Sequence, residues 1–145
     1  MAAIVGIIRM ATGLAIMAVT VAVFLPLCVV LLPSRALRVR LTNLFGRVAG
    51  RGALWAAGVT YPDDVRGQMA RVGPAIFVSN HTSINDIFLG CALAPHGTCG
   101  VAKKEVVYYP FFGQLYWLSG HLRLDRSNAR AALKAIKATA TFTRQ

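Results

Sequence analysis

Two residues near the middle of the chain, His81 and Asp86, have the types and spacing for proton transfer. An imidazole takes up and releases a proton near neutral pH. A carboxylate five positions on, one turn into a helix that begins between them, is carried back within reach of the ring. In that arrangement the carboxylate fixes the ring's tautomer and stabilises the imidazolium, as a base and its orienter require. The alternative makes His81 a cap of the helix and leaves Asp86 to solvent. Lys103 and Lys104 either place positive charge at the mouth of a site or form a solvated face. His96 and His121 have no partner at a catalytic or metal-ligating spacing, and no bound metal is predicted.

These residues need elements to hold them. Ala75-Ile76-Phe77-Val78 is a short apolar run that predicts a buried, parallel strand delivering Ser79, Asn80 and His81 at its end. Thr82 and Ser83 are suited to cap a following helix, with Ile84, Ile87, Phe88 and Cys91 as its apolar face and Ala94-Pro95 as its end. The free N–H groups at that helix start are candidates to hold a developing oxyanion. Further along, the pattern predicts a strand at 100–102, a short aromatic helix after Pro110, a strand at 122–124 and a helix opening at Ser127-Asn128. Alternation of this kind implies an α/β domain with a central, mostly parallel sheet. Tyr108, Tyr109, Phe111, Phe112, Tyr116 and Trp117 serve core packing or, alternatively, contact an acyl chain or membrane.

The first third of the chain is of another character. With 56% hydrophobic and 14% charged residues in 145, part of the protein belongs in lipid. No charged residue falls between Met10 and Leu32, enough for a spanning helix, although Gly13 and Pro26 also permit a re-entrant hairpin. Residues 1–33 are thus expected to be a membrane anchor. Residues 34–72 then form an amphipathic basic helix and a polar connection with a turn at Pro62, Asp63 and Asp64. Leu37, Leu41, Leu44, Phe45, Val48 and Trp55 share one helical arc, either entering the headgroup boundary or packing on the domain, and Gly46, Gly50, Gly52 and Gly58 predict a break. Arg35, Arg38, Arg40, Arg47 and Arg51 follow the anchor without an acidic residue, which sets the later domain, residues 73–145, on the cytoplasmic face. A net charge of +11 beside an anchor points to membrane phospholipids, not nucleic acid. Three cysteines, one of them inside the apolar run, do not make a disulfide framework.

Asn80-His81-Thr82-Ser83-Ile84-Asn85-Asp86 resembles the first motif of the 1-acylglycerol-3-phosphate acyltransferases, the glycerolipid acyltransferases with an H-x4-D signature. Val101-Ala102-Lys103-Lys104-Glu105 with the run from Pro110 to Leu118 is similar to the family's second motif region. Gly120-His121-Leu122-Arg123-Leu124-Asp125-Arg126 is similar to the glycine-to-Asp-Arg element after it. The resemblance covers residues 73–128 and implies transfer of a fatty acyl group from acyl-CoA or acyl carrier protein to the free hydroxyl of lysophosphatidic acid, in phospholipid biosynthesis. It makes His81 the base and Asp86 its partner. It assigns Arg126, with Lys103 and Lys104, to the substrate phosphate, and gives Asn80, Gly113 and Asp125 supporting places in the motifs. No cofactor is implied beyond the acyl donor, and no acyl-enzyme.

The family's third motif, Glu-Gly-Thr-Arg, and its apolar fourth motif do not occur in these 145 residues. The expectation is therefore an incomplete catalytic domain, a fragment or truncated product. Two further readings stand beside the first: an acyltransferase for another lysolipid, and an inactive membrane-associated segment.

Overall fold

The computed structural model describes residues 1–62, 64–73, 75–83, 85–125, 127, 128, 130, 133 and 137. Helix α1, Ala2–Val30, is long and apolar enough to cross a membrane. It runs without a turn through Gly13 and Pro26, so the chain reverses only after it, at 31–34. Helix α2, Arg35–Ala57, begins at Ser34, whose hydroxyl accepts the Leu37 N–H at 3.3 Å, and ends at Gly58 in the left-handed region, φ 73°.

α1 and α2 lie antiparallel, and α2 carries α4, Asn85–Leu93, on its opposite flank. Of the four glycines expected to bring a break, Gly58 ends α2, while Gly46, Gly50 and Gly52 do not interrupt it. A Cβ on Gly50 would lie 2.6 Å from the Phe88 carbonyl oxygen, one on Gly46 3.2 Å from Cys91 Cβ, and one on Gly52 2.6 Å from Ile16 on α1. Gly46 and Gly50 let the backbone of α4 come close and Gly52 makes room for the Ile16 side chain, and that packing outweighs the roughly 1 kcal/mol per residue of lost helix propensity. Helix α3, Val65–Arg71, occupies part of the stretch expected to be a polar connection.

The sheet contains two parallel strands among the described residues, β1 (Val101–Lys103) and β2 (Leu122–Leu124), in register Val101↔Leu122, Ala102↔Arg123 and Lys103↔Leu124. A 3₁₀ turn, Lys104–Tyr108, and helix α5, Phe112–Leu118, make the crossover. The strand expected at 75–78 is not formed. Ile76 and Val78 are 93% and 90% exposed, and among the described residues no strand lies beside them. A strand exists through hydrogen bonds to a neighbour, and an apolar run alone does not supply one.

The core joins three helices, with Met17, Val21 and Cys28 of α1, Phe45 and Ala49 of α2, and Leu115 of α5, and Phe88 of α4 packs against it. A row of rings, Phe24–Phe45–Phe112–Tyr116–His121, crosses it at centroid spacings of 5.7, 6.3, 5.6 and 5.3 Å. The aromatic group of the second motif region therefore divides. Phe112 and Tyr116 pack inward, while Tyr108, Tyr109, Phe111 and Trp117 are exposed. The helix expected from Ser127-Asn128 is seen at 130, 133 and 137; its remaining positions lie outside the described residues.

Candidate active site

The site is built where the exposed arm at 75–83 meets α4. Asp86, in the first turn of α4, turns its carboxylate back so that Oδ2 accepts the Thr82 and Ser83 backbone N–H groups, each at 2.8 Å. The same oxygen stands 3.5 Å from His81 Nδ1. Those two N–H bonds, with the neighbouring imidazole adding to them, hold the carboxyl below its usual range. Asp86 is thus ionised near neutral pH and faces one ring nitrogen, while among the described residues no hydrogen bond engages His81 Nε2. An oriented base needs a carboxylate beside one ring nitrogen and the other nitrogen open, and this arrangement is compatible with that.

Among the described residues, the backbone N–H groups at the helix start expected to face an oxyanion already have acceptors within the protein. Besides Thr82 and Ser83, the Asn85 N–H is taken by the Ser83 hydroxyl at 3.2 Å and the Asp86 N–H by the Ser83 carbonyl at 3.1 Å. The Asp86 carboxylate holds two of these donors, and the Ser83 hydroxyl and carbonyl hold the other two.

His81 and Asp86 stand at the edge of a cavity of about 800 Å³ that runs between α2, α4, β1 and α5. Thr42 and Asn43 of α2 form one wall, so the helix read as a membrane surface element also shapes the site. Asn43 pins the loop after α4, its amide donating to the Thr98 carbonyl at 2.9 Å and its oxygen accepting the Gly97 N–H at 2.7 Å. Nothing in the local sequence marks Asn43, because both its partners lie more than fifty residues away.

His121 lines the opposite wall but is occupied. Its Nδ1 accepts the Gly100 N–H at 3.2 Å, which leaves the proton on Nε2, and Nε2 meets Thr42 Oγ1 at 3.2 Å. Burial, with the nearby positive charge of Arg35, lowers its pKa to about 4, so it is a neutral strut between the sheet and α2. Cys91 is also on the wall, and burial pushes its thiol up to about 11, which removes it as a nucleophile at neutral pH.

Lys103, on β1, lines the cavity that His81 borders. Lys104 points elsewhere, to an ion pair with Asp125 Oδ2 at 2.8 Å, which raises the lysine and lowers the aspartate to about 2. Asp125 also accepts the Ser127 N–H at 3.0 Å, so this motif residue closes the turn after β2. Gly113 is required sterically, since a Cβ would stand 2.2 Å from the Val107 carbonyl oxygen. Asn80 is exposed on the arm, and Arg126 lies outside the described residues.

A family profile described as Acyltransferase matches residues 64–145, more than half of the chain. The chain belongs to the acyltransferase family. Its similarity to individual members extends upstream as well. It is 42% identical over 137 residues to the 1-acyl-sn-glycerol-3-phosphate acyltransferase of Cocos nucifera, covering 94% of this chain and 44% of that one. The enzyme of the same name from Limnanthes alba is 44% identical over 123 residues, 85% of this chain and 43% of the relative. That from Escherichia coli is 42% identical over 60 residues, 41% and 24% respectively. The chain thus spans less than half the length of the plant relatives it matches. No solved structure matches it. The acyltransferase profile covers His81, Asp86, the cavity's sheet wall and both strands.

Proposed function

We propose that this acyltransferase moves a fatty acyl group from an acyl thioester, on coenzyme A or acyl carrier protein, to the free hydroxyl of lysophosphatidic acid, a step of phospholipid biosynthesis. The observation that supports it most is the His81–Asp86 pair at the edge of an apolar-walled cavity, in a chain whose relatives carry that activity in their names.

An alcohol is a weak nucleophile until its proton is removed. His81 Nε2 takes the proton as the hydroxyl oxygen bonds to the thioester carbonyl carbon. The tetrahedral intermediate then collapses, the C–S bond breaks, and the departing sulfur receives the proton from His81. Asp86 holds Nδ1–H and offsets the charge that the imidazolium carries in between. The acyl group passes directly from sulfur to oxygen. Lys103, together with Arg126, is assigned to the acceptor's phosphate, where a guanidinium gives a planar two-point match. The arginines that follow α1, unaccompanied by acids, set this reaction on the cytoplasmic face of the membrane, with α1 as the anchor.

The test is transfer of a labelled long-chain acyl group from acyl-CoA to lysophosphatidic acid by the 145-residue chain in detergent, beside His81→Ala. Loss of about 10²–10⁴-fold in the variant, with far-UV circular dichroism unchanged, is the expected result. Equal rates for both proteins would remove His81 from the chemistry, and turnover with a phosphate-free lysolipid but not with lysophosphatidic acid would reassign the acceptor.

A further inference from the structure

Of the contacts described for the Asp86 carboxylate, the one with His81 is the longest. At 3.5 Å, His81 Nδ1 stands outside the usual range of about 2.7–3.2 Å for a nitrogen-to-oxygen hydrogen bond, while the Thr82 and Ser83 N–H groups reach the same Oδ2 at 2.8 Å. Bonds from N–H groups to an ionised acceptor are also the stronger kind. They contribute first to holding the Asp86 carboxyl below its usual range, Ser83 ahead of Thr82. The carboxylate is therefore placed by the backbone and not by the imidazole. Its side chain is 30% exposed, so without those bonds it is free to turn toward water.

Ser83 meets this turn at three points. Its N–H donates to Asp86 Oδ2, its carbonyl accepts the Asp86 N–H at 3.1 Å, and its hydroxyl accepts the Asn85 N–H at 3.2 Å. The first and third are reciprocal. A serine hydroxyl satisfies an N–H in the first turn of α4, and the carboxylate three residues on returns to the serine's own N–H. That is the bonding of a capping box, with aspartate where glutamate or glutamine is usual. The shorter side chain keeps the carboxylate over the helix start, where the same oxygen also faces the ring of His81. The backbone bonds are open to most residue types, whereas the hydroxyl bond needs a short side chain that accepts.

We propose that Ser83 is a positioning residue for the His81–Asp86 pair, its hydroxyl locking the first turn of α4 in the arrangement that sets the Asp86 carboxylate against His81 Nδ1. The proposal rests on the reading of that pair as base and partner. In this role Ser83 moves no proton itself and acts through Asp86. With the hydroxyl removed, the Asn85 N–H turns to water, the first turn loosens and the carboxylate samples positions away from the ring. The neutral imidazole then loses the partner that keeps its proton on Nδ1, and Nε2 is bare, as a base needs it, for only part of the time.

The test uses the full 145-residue chain in detergent, isotope-labelled at its histidines. Nitrogen–proton NMR spectra at alkaline pH, where imidazoles are neutral, report which ring nitrogen carries the proton, and the signals that vanish in His81→Ala belong to His81. The parent shows His81 protonated on Nδ1. Ser83→Gly leaves helix stability nearly unchanged, because glycine also suits a helix start, yet shifts His81 to a mixture of both tautomers; Ser83→Thr restores the parent signal. Acyl transfer to lysophosphatidic acid follows the same order, kcat falling about tenfold in Ser83→Gly with both KM values kept and recovering with threonine. The fall stays short of the roughly 10²-fold that a 1 Å misplacement can cost, since the Thr82 N–H still holds the carboxylate. A serine that merely caps α4 lowers the thermal midpoint of Ser83→Ala and leaves the tautomer alone. A His81 proton that stays on Nδ1 in both Ser83→Gly and Ser83→Ala, a threonine variant that behaves as the glycine one, or Nε2 protonation in the parent would therefore overturn the proposal. A tautomer shift in Ser83→Gly beside a parent that transfers no acyl group supports the positioning role and removes the proposed reaction instead.

Discussion

The cavity has a histidine on each side, and the two could hardly be held more differently. His121 sits in the packed half of the molecule, both ring nitrogens engaged by Gly100 and Thr42 and the ring stacked near Tyr116. His81 sits on the exposed arm, half open to solvent, with a single carboxylate beside one nitrogen. The same side chain is a structural strut where every hydrogen-bonding position is filled, and is proposed as the base where one is left open next to a fixed anion. What separates them is the supply of partners around the ring.

The comparison breaks first at Asp86. The carboxamide of Asp86→Asn retains an oxygen for the Thr82 and Ser83 N–H groups but removes the charge that stabilises an imidazolium. Acyl transfer is expected to fall about 10²-fold while the thermal midpoint hardly moves, as steady-state rates and circular dichroism melts will show. The opposite pattern is expected at His121. His121→Ala strands the Gly100 N–H and opens a space beside Tyr116, a loss of about 2–4 kcal/mol in chemical denaturation, with the rate per folded molecule largely kept.

Acid sharpens the contrast. His121 has a folded pKa of about 4 against an ordinary 6.5, so the unfolded chain binds the extra proton first. Its stabilising contribution is complete above about 6.5 and is lost as pH falls toward 4, by at most about 3 kcal/mol at 1.36 kcal/mol per pKa unit. A melting series over that window should slope downward with acid, and His121→Ala should flatten it. The smallest effect concerns the helical scaffold: Gly50→Ala places a methyl 2.6 Å from the Phe88 carbonyl oxygen and should cost about 1–3 kcal/mol by pushing α4 and its Asp86 away from α2.

Much of the local structure was legible because its causes are local. An uncharged run makes α1 a helix of membrane-spanning length, apolar spacing marks α2 and α4, and Pro110 and the short apolar runs mark α5, β1 and β2. The pair His81 and Asp86 was legible for the same reason, since a helix start brings residues five apart together whatever surrounds them. The arm at 75–78 was misread as a strand because strand formation depends on a neighbour, which residue types in the run cannot report.

By itself, then, the sequence determined the helices other than α3, the two short strands, the approach of His81 to Asp86 and the family. Only the tertiary structure decided that the glycines of α2 are contact points and not breaks, that Asn43 and His121 hold the cavity walls and that Lys104 is tied to Asp125. Periodicity and capping act over a few residues and are written in the order of side chains. Close approach, desolvation and charge pairing act through space between segments tens of residues apart, and take their values only when the chain has folded.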